Sequence, residues 1–190
     1  MIYATFDDPY CYKGTSVLKN VRGFRDQAAL DRFEALSFAL RSEEPLPAGQ
    51  LSVRHYFAVH RHLFQDVYRW AGKPRTIRIS KGGNPFCYPE HLGSELKRLF
   101  SWLRKEKYLR ERNPEIFTSQ LAHFLAELNA NHPFREGNGR AQNAFALILS
   151  HQARHPLRMD ALDPATFNQA MIASFAGDEA GLATELRGLL

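Results

Sequence analysis

One stretch constrains this chain more than any other: His132-Pro133-Phe134-Arg135-Glu136-Gly137-Asn138-Gly139-Arg140, set between two apolar-periodic segments. Before it, Phe117, Leu121, Phe124, Leu125 and Leu128 recur at helical spacing; after it, Ala144, Leu147, Ile148 and His151 do the same. The pattern predicts a helix, a loop and the start of a second helix. Gly137-Asn138-Gly139 can take positive φ and crowd backbone N–H groups where the second helix begins, which favours an anion such as phosphate. Arg140, in the first helical turn, adds a fixed charge and a fork for two oxygens. Glu136 would repel a bare phosphate, and a Mg2+ ion between them removes the conflict. His132 is the one residue of the stretch able to take a proton near neutral pH. Singly, these residues read as a turn, a capping histidine and a solvated carboxylate. Together they read as a base, a metal carboxylate, a phosphate nest and a phosphate arginine.

The rest of the chain predicts a mainly α fold. Its 190 residues, 44% hydrophobic and 12% aromatic, suit one globular domain spanning 1–190. No apolar run reaches membrane-spanning length, and the N-terminus has no apolar signal core, so a soluble protein is expected. Cys11 and Cys87 are too few and too far apart for a disulfide framework or a metal-type spacing, and a reducing compartment is the default. The net charge of +5 permits contact with nucleic acid, but no basic strip interleaved with aromatics accompanies it.

Taken in order, residues 1–25 read as an extended arm packing its tyrosines on the domain. A helix over 26–41 presents Leu30, Phe33, Leu36, Ser37 and Leu40 on one face; a second, capped by Ser52, buries Tyr56, Val59, His60, Leu63, Val67 and Trp70. His60 and His62 face different sides of that helix, so one is packed and one exposed rather than a metal pair. Residues 76–88 form the one clear hairpin: Thr76-Ile77-Arg78-Ile79-Ser80 alternates with period two, and Lys81-Gly82-Gly83-Asn84 turns it. Its edge is either a surface ornament or a template on which an extended peptide adds as a strand. Further helices follow: one over 89–108 burying Leu92, Leu96, Leu99, Phe100 and Leu103, one after Asn113-Pro114, one after Asp163-Pro164 burying Phe167, Met171 and Phe175, and a short one over 179–189. His151 and His155, four apart without an acidic or cysteine companion, read as charges at a helix C-terminus.

The stretch from His132 resembles the Fic family signature, His-x-Phe-x-Asp/Glu-Gly-Asn-Gly-Arg-x-x-Arg, matched everywhere except the last position, where Asn143 stands. The Tyr10-x-Tyr12, Gly14-Thr15 and Val17-Leu18-x-Asn20 string and the helix from His60 to Gly72 resemble the same family. The resemblance implies a Fic-type helical bundle with a small β-hairpin flap, and ATP-dependent transfer of AMP to a Tyr, Thr or Ser hydroxyl of a target protein. It implies that His132 deprotonates the target hydroxyl, Glu136 holds Mg2+, Gly137, Asn138 and Gly139 bind phosphates, Arg140 contacts the departing phosphates and Phe134 anchors the core. Asn143 is counted among the ATP- and phosphate-binding positions, in place of an arginine that in the family pairs with the terminal phosphate of ATP or with an inhibitory glutamate. Ile79, Ser80, Lys81, Gly82 and Gly83 would be the target-binding flap, with Lys81 near ATP. Targets by resemblance are a topoisomerase subunit, as for toxin-like relatives, or a small GTPase, as for bacterial effectors. No Ser/Thr-x-x-x-Glu-Gly/Asn inhibitory helix occurs in these residues, so an antitoxin-like partner in trans, or a segment outside these residues, would supply any restraint. The expected compartment is cytoplasmic, or a host cell for a secreted effector. Three alternatives stand beside AMP transfer: a degenerate domain that binds nucleotide or a partner without transfer, transfer of a different phosphate-containing group, and a helical nucleic-acid-binding domain.

Overall fold

The structure, a computed structural model, describes residues 8–190. It is mainly α with one small antiparallel hairpin, as expected, and its residues group into two compact units. The part of the N-terminal arm before Asp8 lies outside the described residues.

The first unit comprises the chain up to Leu92 together with Pro133–Ala141. Its arm turns back on itself through a bridge between Cys11 and Leu18, and Tyr10 sets its ring edge-on to Trp70. Helix α1 (Gln27–Glu43) starts where the Asp26 carboxylate accepts the Ala29 N–H, and packs against α2 (Val53–Phe64), capped in the same way by Ser52. Arg41 forks onto Asp66 and joins the end of α1 to the turn after α2. The buried face of α1 differs from the one predicted. Leu30 and Ser37 are buried, while Leu36 and Leu40 are 61% and 58% exposed. Glu34 falls at helical spacing between Leu30 and Ser37 and lies on the inward face in place of the two leucines.

The hairpin is shorter than the periodicity predicts. Strands β1 (Ser80–Lys81) and β2 (Asn84–Pro85) pair through Ser80 with Pro85 and Lys81 with Asn84. Gly82 and Gly83 turn the chain at φ +58° and +84°, a conformation that side chains resist. Two residues per strand are too few to hold a hairpin alone. The buried Arg75 supplies the support: its guanidinium donates to the carbonyls of Ile77 and Cys87, one on each arm, and its N–H bonds the Pro133 carbonyl at 2.8 Å.

The second unit comprises Gly93–His132 and Gln142–Leu190. Helix α3 (Pro89–Lys105) buries all five residues predicted for it, Leu92, Leu96, Leu99, Phe100 and Leu103. Helix α4 (Pro114–Asn131) opens with the Asn113 side chain accepting the Ile116 N–H and Pro114 at the first position. Phe117, Leu121, Phe124, Leu125 and Leu128 are buried along it. Helix α5 (Asn138–Ala153) inserts Phe145 beside Phe100 and Phe124, ring centroids 5.6 and 6.0 Å apart. Its buried face carries Ala141, Phe145, Leu149 and Ala153, not the Ala144, Leu147, Ile148 and His151 face expected, because apolar residues run almost unbroken from Ala144 to Leu149. Helices α6 (Pro164–Phe175) and α7 (Ala180–Gly188) pack on α4 and on each other. Phe167 is buried as expected; Met171 and Phe175 are half-buried, and Ala170 and Ser174 complete the inward face. His155 lies past the end of α5 and packs inward rather than standing on the helix. Its ring lies on Phe117 and its Nε2–H donates to the Arg112 carbonyl.

Candidate active site

The loop that opens α5 is shaped by its own side chains. Phe134 is fully buried and stacks on His60 at 3.7 Å between centroids, with Tyr56 and Phe57 around it. The Asn138 amide accepts the Phe134 N–H at 2.9 Å and donates to the Phe134 carbonyl at 2.8 Å. This closes the loop into a ring and commits the Asn138 side chain to backbone. Any contact of Asn138 with phosphate therefore falls to its main-chain N–H. His60 adds a second support. Its Nδ1 accepts the Gly72 N–H, so Nε2 carries the proton and donates to the Glu136 carbonyl at 3.0 Å. Burial pushes the His60 imidazole down to about 3, so it stays neutral in this role. His62, half-buried rather than exposed, bonds the Arg41 carbonyl.

Gly137 stands at φ +81°, and a Cβ there would come within 2.5 Å of the buried Phe64 ring. Glycine is required twice over, by the backbone conformation and by the close approach. The first intrahelical bond of α5 runs from the Ala141 N–H to the Gly137 carbonyl, so the N–H groups of Asn138, Gly139 and Arg140 have no helical partner. Three amides at a helix start are an anion site by geometry and by dipole.

Glu136, Gly137 and Arg140 are brought together here. Glu136 Oε1 accepts the Gly137 N–H at 2.9 Å and stands 3.6 Å from Arg140 Nη2. The Arg140 guanidinium lies over Phe64 and Phe38, 4.6 and 5.2 Å from their centroids. The same Nη2 donates to Glu34 at 2.5 Å, and the other oxygen of Glu34 accepts the Tyr68 hydroxyl. Sequence reasoning missed Glu34, Tyr68 and Arg75. The signal for Glu34 was its position at helical spacing from Leu30 and Ser37: a lone carboxylate on an inward stripe needs a partner.

His132 belongs to the second unit and ends α4. It takes the left-handed conformation at φ 45°, and its N–H caps the Leu128 carbonyl. The buried ring places Nδ1 3.3 Å from the Asn129 carbonyl, which can only accept, so Nδ1 carries the proton and the lone pair resides on Nε2. Asn143, half-buried, follows Arg140 by about one turn of α5. On the hairpin, Ile79 is buried, Ser80 and Lys81 are half-buried, and Gly82 and Gly83 are exposed.

Among the described residues, no group of three or more His, Cys, Asp or Glu side chains could hold a metal ion. A single loop carboxylate suits a hard cation that takes its remaining ligands from phosphate and water, as Mg2+ does.

Residues 50–150 match the model of the Fic/DOC family. The probable protein adenylyltransferase y4lH of Sinorhizobium fredii is 49% identical over 189 residues, spanning 99% of this chain and 98% of its own. The protein adenylyltransferase VbhT of Bartonella schoenbuchensis is 34% identical over 179 residues, 93% of this chain but 37% of that longer protein. The same fold is seen in the AMPPNP-bound crystal structure of BepC, a VirB-translocated effector of Bartonella tribocorum. Its TM-score is 0.84 at 24% identity, over 95% of each chain.

Proposed function

This chain belongs to the Fic/DOC family and its activity is that of a protein adenylyltransferase, and from that premise we propose how its own residues carry out the transfer. The observation that carries the reading is the first turn of α5: three amides without helical partners and Arg140 on an aromatic shelf, beside the loop carboxylate of Glu136. The substrate is ATP, and the acceptor is a Tyr, Thr or Ser hydroxyl of a target protein. His132 Nε2 takes the hydroxyl proton as the oxygen attacks the α-phosphorus. The new P–O bond forms as the bond to the β-phosphate oxygen breaks, and pyrophosphate leaves. The amides of Asn138, Gly139 and Arg140 and the Arg140 guanidinium stabilise charge on the phosphate oxygens, a contribution of position and electrostatics rather than of covalent chemistry. Glu136 would hold Mg2+, which neutralises charge on the phosphates when bound.

The hairpin has two edges, and Pro85 removes a main-chain donor from that of β2. The edge of β1, through Ile79–Gly83, is accordingly the one on which a target segment adds as a strand, with little demand on its sequence. Lys81 stands at the tip of that edge, where it meets nucleotide or target. Asn143 carries no charge with which to pair the terminal phosphate as an arginine would, and chemistry at the α-phosphate does not require one there. No inhibitory Ser/Thr-x-x-x-Glu-Gly/Asn motif occurs in residues 1–190, and any restraint of this kind would come from an antitoxin-like chain in trans or from a segment outside these residues. The whole chain acts as one Fic domain, in the cytoplasm of the producing cell or of a host that receives it. No helix among the described residues is long and apolar enough to cross a membrane.

Measuring the leaving group tests the reading. With MgATP and a target-containing lysate fraction, pyrophosphate is expected to appear in step with protein modification. ADP or inorganic phosphate appearing instead would assign a different transfer.

A further inference from the structure

Arg140 is held by an assembly outside the signature loop. The side chain of Glu34, 14% exposed, spends both carboxylate oxygens, Oε1 on Arg140 Nη2 and Oε2 on the Tyr68 hydroxyl. The carboxylate is thereby fixed in rotation as well as in place. Phe38 and Phe64 stack on each other at 5.9 Å and form the shelf under the guanidinium plane. Both carboxylates near Arg140, Glu34 and Glu136, are met through the single nitrogen Nη2. Two further donors of the guanidinium, Nε and Nη1, make no hydrogen bond among the described residues, and the side chain stays 32% exposed. Arg140 is thus anchored through one nitrogen and keeps donors on the other two.

We propose that Glu34 and Tyr68 form a clamp that presets Arg140 for the departing phosphates of ATP, which makes Glu34 a positioning residue of the transfer. The proposal rests on the role given to Arg140 above. An unanchored arginine must lose side-chain freedom when phosphate arrives, and one already ordered does not. Burial raises the Tyr68 phenol, so it remains a proton donor to the carboxylate across the working pH range. The opposite reading, in which Glu34 competes with phosphate for Arg140, uses the same contacts and predicts the opposite sign.

Calorimetric affinities of the full chain for AMPPNP with Mg2+, and for AMP, separate these. Glu34→Gln is expected to weaken AMPPNP about tenfold, and AMP, which lacks the departing phosphates, by less than about twofold. Tyr68→Phe, which frees one carboxylate oxygen without removing the charge, is expected to give a smaller loss with the same selectivity, and decides the matter alone where Glu34→Gln does not fold. Equal loss for both nucleotides would mean a structural role only, and no change would mean an idle contact. Tighter AMPPNP binding would make Glu34 a restraint. Each of these overturns the clamp while leaving the AMP-transfer reading intact. A wild-type chain that binds neither nucleotide would overturn that reading, and the clamp with it.

Discussion

Gly137 carries two constraints that no other residue of the loop carries together. Its φ of +81° is in the region that a Cβ disfavours by about 1–2 kcal/mol, and that Cβ would also press within 2.5 Å of Phe64, itself buried and under Arg140. Gly137→Ala is therefore expected to cost more than about 2 kcal/mol in urea unfolding and to displace the Arg140 shelf. An alanine variant with wild-type stability would show that the loop relaxes freely and that its shape is not set by Phe64. Much of this was legible from the sequence, because glycine in a Gly-Asn-Gly string announces a backbone demand. Asn138 was legible as a loop residue but not as the one that closes the loop on Phe134. A side chain's choice between backbone and ligand depends on which backbone groups the fold leaves unpaired.

Among the elements, the hairpin shows what periodicity can and cannot reveal. Alternation located it between residues 76 and 88, but its support comes from Arg75, just outside the pattern, reaching the carbonyls of Ile77 and Cys87 and the backbone of Pro133. Arg75→Ala is expected to raise KM for the target protein several-fold, with nucleotide affinity within about twofold of wild type, because the edge that receives the target loses its brace while the amides of α5 do not. A rise in ATP Kd as large as the rise in target KM would contradict this division. Helices were legible where caps and mixed faces coincided: Ser52 and Asp163 cap as read, and Asp26 and Asn113, read only as the start of a helix and a break before one, cap as well. Faces were misread in α1 and α5, for opposite reasons. In α1, Leu36 and Leu40 are exposed while Glu34 turns inward to serve Arg140, so apolarity pointed the wrong way. In α5, apolar residues on nearly every side gave the pattern no direction, and only the aromatic contacts of Phe145 supply one.

On the scale of the whole molecule, the buried neutral His60 links stability to pH. Its folded value is depressed to about 3 from 6.5, so between those values the unfolded chain binds a proton that the folded chain does not. The contribution is complete above about pH 6.5 and is lost progressively as pH falls towards 3, at up to about 1.4 kcal/mol per pH unit. Urea unfolding between pH 7 and pH 4 is expected to show this slope, and His60→Asn to flatten it by about that amount. An unchanged slope would place the titration on carboxylates instead.

The AMP-transfer account depends on which phosphate travels and on His132. Purified chain and its His132→Ala variant, each with Mg2+ and a cell lysate, receive ATP labelled at the α or at the γ position. The account predicts protein-bound label from the α position alone, reduced roughly 10^2- to 10^4-fold in the variant. Label from the γ position, or α label undiminished without His132, would contradict it.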